Sequence, residues 1–161
     1  DLILEEMRIY LKNSLHQSEK KEGSKDGMDL ALCTIDENLN LEYSGANNPV
    51  LIVKNNEEIY LNADKQPIGV YVIEKKFNKT SVKLEKNSML YLFSDGYRDQ
   101  FGGVHGKKLQ LKPFKELLFN ISSENCNKQK ELIETRFNEW IDLSNNRFPQ
   151  LDDILIVGIR F

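Results

Sequence analysis

The 161-residue sequence predicts an α+β fold in which two antiparallel β-sheets lie face to face and helices cover their outer surfaces. Three observations predict it. An amphipathic helix opens the chain. Many short apolar segments then follow at close spacing, separated by Asn, Asp and Gly turn chemistry. Two further helical stretches precede a last apolar strand. A sandwich of this kind gathers its loops at the sheet edges, where a site can be assembled.

The elements follow in order. Leu4, Met7, Leu11 and Leu15 recur at three- and four-residue steps, which predicts a helix over 2–16. The Lys- and Glu-rich stretch 17–25 reads as a solvated loop. Strands are predicted at 29–35 and 40–44, joined as a hairpin by Asp36-Glu37-Asn38. Gly45-Ala46-Asn47-Asn48-Pro49 breaks the run as a structural turn. Strands resume at 50–53 and 58–61 around Asn55-Asn56. Segments 76–84 and 89–93 read as another antiparallel pair around Glu85-Lys86-Asn87. Helices are predicted at 113–119, with Pro113 in the first turn, and at 128–140, where Leu132, Ile133, Phe137 and Trp140 form one stripe. The last strand covers 154–159.

Composition narrows the function classes. Hydrophobic residues make up 40% and charged residues 29%, the balance of a globular domain of one core. No apolar run reaches the ~20 residues that span a bilayer, and no signal peptide is evident. The net charge of −3 argues against a nucleic-acid partner. Cys33 and Cys126 lack CxxC spacing and read as free, buried thiols of a reducing compartment. His16 and His105 are too isolated for a zinc site or a histidine-based nucleophile. The chain starts at Asp1, without methionine and almost inside a helix, and so reads as part of a longer protein.

Two acidic motifs could carry chemistry. In Tyr91-Leu92-Phe93-Ser94-Asp95-Gly96-Tyr97, an apolar strand ends in an aspartate, and Gly96 permits a sharp turn with unusual dihedrals beneath it. That holds a hard oxygen ligand for Mg²⁺ or Mn²⁺, although Asp-Gly is also common turn chemistry. In Gln150-Leu151-Asp152-Asp153-Ile154, two like charges precede a strongly apolar strand. Such charges need solvent or a cation. If the two strands are neighbours, Asp95 and Asp152 can point at one cation. The glycine-rich stretch from Asp99 to Lys108 is not a phosphate-binding P-loop. It reads as a mobile, tightly turned loop that could border a substrate site through Asp99, Lys107 or Lys108; an ordinary surface loop is the other reading. Asp26-Gly27-Met28-Asp29 reads as a loop-to-strand junction.

Together with Tyr43-Ser44-Gly45-Ala46-Asn47-Asn48-Pro49 and Gln66-Pro67-Ile68-Gly69, these motifs occur in the order seen in the SpoIIE-like family of bacterial metal-dependent serine/threonine protein phosphatases, which the chain resembles over nearly its whole length. The resemblance implies the protein phosphatase 2C-like two-sheet sandwich, here N-terminally truncated, so that 1–161 is a single partial domain. It implies Mn²⁺ or Mg²⁺ in a two-metal centre of the complete domain. A metal-activated water would hydrolyse phosphoserine or phosphothreonine, with no phosphoenzyme. Asp95 and Asp152 take metal-ligand and catalytic positions, supported by Gly96 and Asp153.

The family's first metal motif lies upstream of the opening helix, and Asp26-Gly27 does not replace it. The chain alone is therefore expected to bind metal weakly and to be inactive. The same resemblance implies a phosphorylated regulatory protein as substrate, such as an anti-sigma-factor antagonist. It also implies an upstream sensor region in the same chain and a cytoplasmic location, with the parent open to membrane tethering. Missing strands leave sheet edges open to self-association. The alternative function is a non-catalytic, pseudophosphatase-type binding module.

Overall fold

The computed structural model describes residues 1–17, 26–142 and 147–161. Its elements are α1 (Leu2–Ser14), β1 (Leu30–Ile35), β2 (Asn40–Ala46), β3 (Val50–Lys54), β4 (Glu57–Leu61), β5 (Thr80–Lys83), β6 (Met89–Phe93), α2 (Gly96–Asp99), β7 (Phe101–Gly102), β8 (Lys107–Lys108), α3 (Leu111–Ile121), α4 (Cys126–Ile141) and β9 (Ile156–Arg160). Antiparallel sheets and helices put the chain in the α+β class that the sequence predicts. The predicted loop at 17–25 lies, Gln17 apart, outside the described residues. The chain divides into two units, Asp1–Val50 with Tyr60–Lys86, and Leu51–Ile59 with Asn87–Phe161.

The first unit is built on the sheet β1-β2-β5. The inner stripe of α1 packs Leu4, with Met7 and Leu11 beside it, against Ala46, Ile68 and Phe77. Burying Leu4 completely contributes about 2 kcal/mol. The helix stops at Ser14, two residues short of the expected end, because His16 adopts a left-handed φ of 49°. β1 and β2 pair antiparallel from Leu30↔Ala46 to Ile35↔Leu41, as predicted. Asp36 makes their turn: its Oδ1 accepts the N–H groups of Asn38 (2.9 Å) and Asn40 (2.8 Å), and its Oδ2 accepts Asn40 Nδ2 (2.7 Å). The motifs around Gly45 and Gln66 prove to be structural. A side chain at Gly45 would collide with the Tyr43 hydroxyl, which donates to Asn48 O (2.8 Å). Gln66 is buried and clamps Lys75 with both ends of its amide, accepting from its N–H (2.9 Å) and donating to its C=O (2.8 Å).

The second unit is built on the sheet β4-β3-β6-β9. Asn55 (φ 50°) and Asn56 (φ 60°) form the left-handed pair that a two-residue hairpin needs between β3 and β4. The expected pairing of 76–84 with 89–93 is not formed. β5 joins β2, from Asn40↔Lys83 to Tyr43↔Thr80, and β6 joins β9. Glu85-Lys86-Asn87 thus carries the chain from one sheet to the other instead of closing a hairpin.

Helices α3 and α4 cover one face of the second sheet. Phe114 meets the ring of Phe93 edge-on at 5.1 Å and that of Tyr97 at 4.8 Å. The buried Tyr91 hydroxyl donates to Gln129 Oε1 on α4 (2.7 Å). Asn125 caps α4 by accepting the Lys128 N–H (2.9 Å). Both cysteines are free, as expected. Cys33 is half-buried, and burial pushes its thiol up to about 11. Cys126 is exposed rather than buried, because it opens α4 on the solvent side.

Candidate metal centre

The site is built from the end of β6 and the approach to β9. These strands pair antiparallel from Met89↔Arg160 to Phe93↔Ile156, so residues just after Phe93 meet residues just before Ile156. Ser94 fastens the two segments. Its N–H donates to Leu155 O (3.0 Å), its Oγ donates to Asp153 O (2.9 Å), and the same Oγ accepts the Leu155 N–H (3.0 Å).

Asp95 then starts α2 with right-handed helical dihedrals (φ −80°, ψ −15°), and its carbonyl accepts the Asp99 N–H (3.0 Å). Gly96 corrects the sequence reading. It does not take a left-handed turn conformation. It is needed because a Cβ there would lie 2.5 Å from Asp153 O and 3.2 Å from Ile154 Cγ1. Glycine lets the two backbones touch.

Asp152 and Asp153 lie on the other half of this corner, and both are exposed, as is Asp95. Gln150 Nε2 donates to Asp152 O (2.8 Å), and Asp152 Oδ1 accepts the Asp153 N–H (2.8 Å). The backbone thus brings the Asp95 position and the Asp152–Asp153 pair to one end of β6 and β9. Among the described residues, no three His, Cys, Asp or Glu side chains converge as a ready-made metal group.

The state of the carboxylates separates Asp95 and Asp153 from Asp36, Asp64 and Asp29. Asp36 is saturated by its own turn, and Asp64 accepts both the N–H (2.7 Å) and the Nδ2 (2.7 Å) of Asn78. Asp29 accepts from Asn47 Nδ2 (2.9 Å). Among the described residues, the carboxylates of Asp95 and Asp153 accept no hydrogen bond and enter no ion pair. The backbones at this corner are held tightly while these acceptors stay open. Turn aspartates spend their oxygens on nearby N–H groups.

The remaining sequence candidates sit in the hairpin of β7 and β8. Lys108 pairs with Asp99 at 3.0 Å, and Lys107 is exposed. Among the described residues, neither lysine has a hydrogen bond or ion pair to Asp95, Asp152 or Asp153. The glycines of this hairpin pack on α4: a Cβ at Gly102 would strike Trp140 O, and one at Gly103 would lie 2.8 Å from the Trp140 ring.

Two positioning residues emerge only from the structure. One is Ser94. The other is Gln100, which is buried, donates through Nε2 to Pro149 O (2.8 Å) and accepts the Leu151 N–H at Oε1 (3.3 Å). Gln100 therefore anchors the segment leading into Asp152. Both side chains lie inside motifs visible in the sequence, but as polar residues beside Asp and Gly they read as ordinary turn chemistry. Tyr97 is a strut. Burial pushes its phenol well above the ordinary range, and the hydroxyl donates to Ile133 O (3.1 Å).

Comparison with known proteins agrees with this architecture. The structure is similar to the SiaA-PP2C domain of Pseudomonas aeruginosa, with a TM-score of 0.83 and 25% identity over 99% of this chain and 59% of that one. It is similar to the phosphatase domain of the cell fate determinant SpoIIE from Bacillus subtilis in a Mn-presoaked form (TM-score 0.58, 20% identity, 94% of this chain and 70% of that one). It is also similar to the S. agalactiae serine/threonine phosphatase (TM-score 0.62, 14% identity, 97% and 67%). The chain thus spans 59% of the length of the SiaA domain. A search of curated protein sequences finds no match.

The fold is that of protein phosphatase 2C-like domains. Residues 2–161 match the family described as Stage II sporulation protein E (SpoIIE), and the chain belongs to that family.

Proposed function

We propose that residues 1–161 form part of a single metal-dependent phosphatase domain that hydrolyses phosphoserine or phosphothreonine on a regulatory protein. The observation that carries this reading is the corner at Ser94–Gly96, clamped to 153–155 while the carboxylates of Asp95 and Asp153 stay open.

The donor chemistry fits Mn²⁺ or Mg²⁺: exposed carboxylate oxygens, with no soft ligand beside them. Asp95 and Asp152 would hold the metal. A bound ion of this kind supplies a water of lowered pKa and positive charge beside the phosphoryl oxygens. The chain's own residues act on geometry. Ser94 and Gly96 hold the Asp95 backbone against that of Asp153, and Gln100 holds the approach to Asp152. Asp153 braces the Asp152 carboxylate through its N–H. Mg²⁺ takes about six oxygen ligands, so two aspartates complete only part of a shell. Acidic residues from the rest of the domain complete it, which makes this chain alone a weak metal binder with little turnover.

The substrate class follows the family: a phosphorylated regulator such as an anti-sigma-factor antagonist, with an upstream sensor region controlling a cytoplasmic domain. Among the described residues no helix is long and apolar enough to cross a membrane. Mn²⁺ titration calorimetry and hydrolysis of a phosphoserine peptide test the proposal on the complete domain and on the 161-residue chain. The complete domain is expected to bind and turn over, and the shorter chain to do neither well. Robust turnover by the shorter chain would show that the missing ligands are misassigned. An inert complete domain would favour a binding module.

A further inference from the structure

The stretch that carries Asp152 does not hold itself in place. Residues 149–153 are exposed and lie outside any helix or strand. The approach is held from elsewhere. The Phe148 N–H donates to Ile141 O on α4 (3.0 Å), and both Pro149 O and the Leu151 N–H bond to the Gln100 carboxamide.

Gln100 is 1% exposed, and its two polar ends face different partners. The carboxamide reaches the residue just before Asp152. The backbone carbonyl accepts the indole N–H of Trp140 (3.0 Å) and the Leu109 N–H (3.0 Å). Trp140 lies in the last turn of α4 and is tied to the β7–β8 hairpin as well. Its carbonyl accepts the Gly103 N–H (2.8 Å), and its ring fills the space that a side chain at Gly102 or Gly103 would need. In a close-packed interior, Gln100 cannot shift its carbonyl without carrying its carboxamide along. A movement of the last turn of α4 therefore either breaks the indole bond or displaces the approach to Asp152. All of these bonds are already made, so the link needs no open surface.

We infer that Trp140 is a positioning residue for Asp152, acting through Gln100, so that metal occupancy and the placement of the last turn of α4 are coupled. The inference rests on the reading of Asp152 as a metal ligand. Coupling of this kind is reciprocal: a shift of the helix end changes metal affinity, and metal changes the surroundings of the indole.

Trp140→Phe tests the first direction. It keeps an aromatic ring against the glycines and removes the indole N–H, while Leu109 still donates to the Gln100 carbonyl, so the fold is retained. In the complete domain, calorimetric Mn²⁺ affinity is expected to fall about three- to tenfold, the worth of one hydrogen bond. In a Gln100→Met background, Trp140→Phe is expected to change affinity no further. The second direction uses Trp140 as the only tryptophan of the 161-residue chain. As Mg²⁺ is added, its indole N–H NMR signal is expected to shift with the same midpoint as the amides of 152–154, and Gln100→Met is expected to abolish the indole shift alone. The wild-type titration keeps the test decisive if a variant fails to fold. Unchanged affinity in Trp140→Phe, additive losses in the double variant, or an indole signal that stays fixed while 152–154 shift would each overturn the inference and leave Asp152 a ligand. A wild-type domain that binds no metal would overturn the ligand assignment and this inference with it.

Discussion

Asp36 and Asp95 occupy the same kind of place in the sequence, the turn after an apolar strand, and the structure uses them in opposite ways. Asp36 gives both carboxylate oxygens to its own turn, to Asn38 and Asn40. Asp95 leaves its oxygens open, and the corner is held instead by the Ser94 hydroxyl and by backbone contact at Gly96. A turn aspartate whose acceptors are filled stabilises the fold. One whose turn is secured by other groups is available to a ligand. Strand-end position alone does not distinguish the two.

Substitution breaks the comparison most strongly at the two proposed metal ligands, Asp95 and Asp152. In the complete domain, Asp95→Asn or Asp152→Asn is expected to lower phosphoserine peptide turnover by about 100-fold or more, since each removes a charged oxygen donor to the metal. Neither should shift the thermal midpoint by more than a degree or two, because among the described residues the Asp95 carboxylate accepts no hydrogen bond and the Asp152 carboxylate accepts one, from the adjacent N–H. Steady-state kinetics and thermal denaturation on the same samples check both halves.

A smaller effect falls on the clamp. Gly96→Ala sets a Cβ against a backbone oxygen that can only yield if the 153–154 segment moves. A cost of about 1–3 kcal/mol is expected, together with weaker Mn²⁺ binding, and urea denaturation and calorimetry report the two losses. Loss of stability without loss of metal affinity would separate the clamp from the site.

The smallest effect is at the saturated turn. Asp36→Ala is expected to lower the thermal midpoint slightly and to leave Mn²⁺ binding untouched. Its pH dependence has a definite sign. The Asn40 side chain, and then the Asn40 N–H, hold the Asp36 carboxyl below its ordinary 3.8. The stability it contributes is therefore present above 3.8 and lost as pH falls through the folded-state value. As pH falls below that ordinary value, the gap between wild type and Asp36→Ala should close; urea midpoints along an acid series measure it.

Much of the fold was legible because local chemistry decides it. Asp36 and the Asn55-Asn56 pair mark real hairpins, and the stripes of α1 and α4 mark real helices. The pairing of β5 with β6 was misread because Glu85-Lys86-Asn87 has hairpin composition, and whether a chain folds back or crosses to another sheet is settled by distant partners. β6 finds its neighbour in β9, more than sixty residues on. The helix α2 and the strands β7 and β8 are too short to show a period. At the site, Asp95 and Asp152 stood out as acids at strand boundaries. Their difference from Asp36 did not, because it depends on Ser94 and Gln100 reaching residues 59 and 49 positions away.

The most direct measurement is the paramagnetic broadening of backbone amide NMR signals by substoichiometric Mn²⁺. The ion should broaden 95–97 and 152–154 together and spare the Asp36 turn, even in the weakly binding 161-residue chain. Broadening of only one of the two segments, or broadening that reaches Asp36 equally, would contradict a cation shared by Asp95 and Asp152.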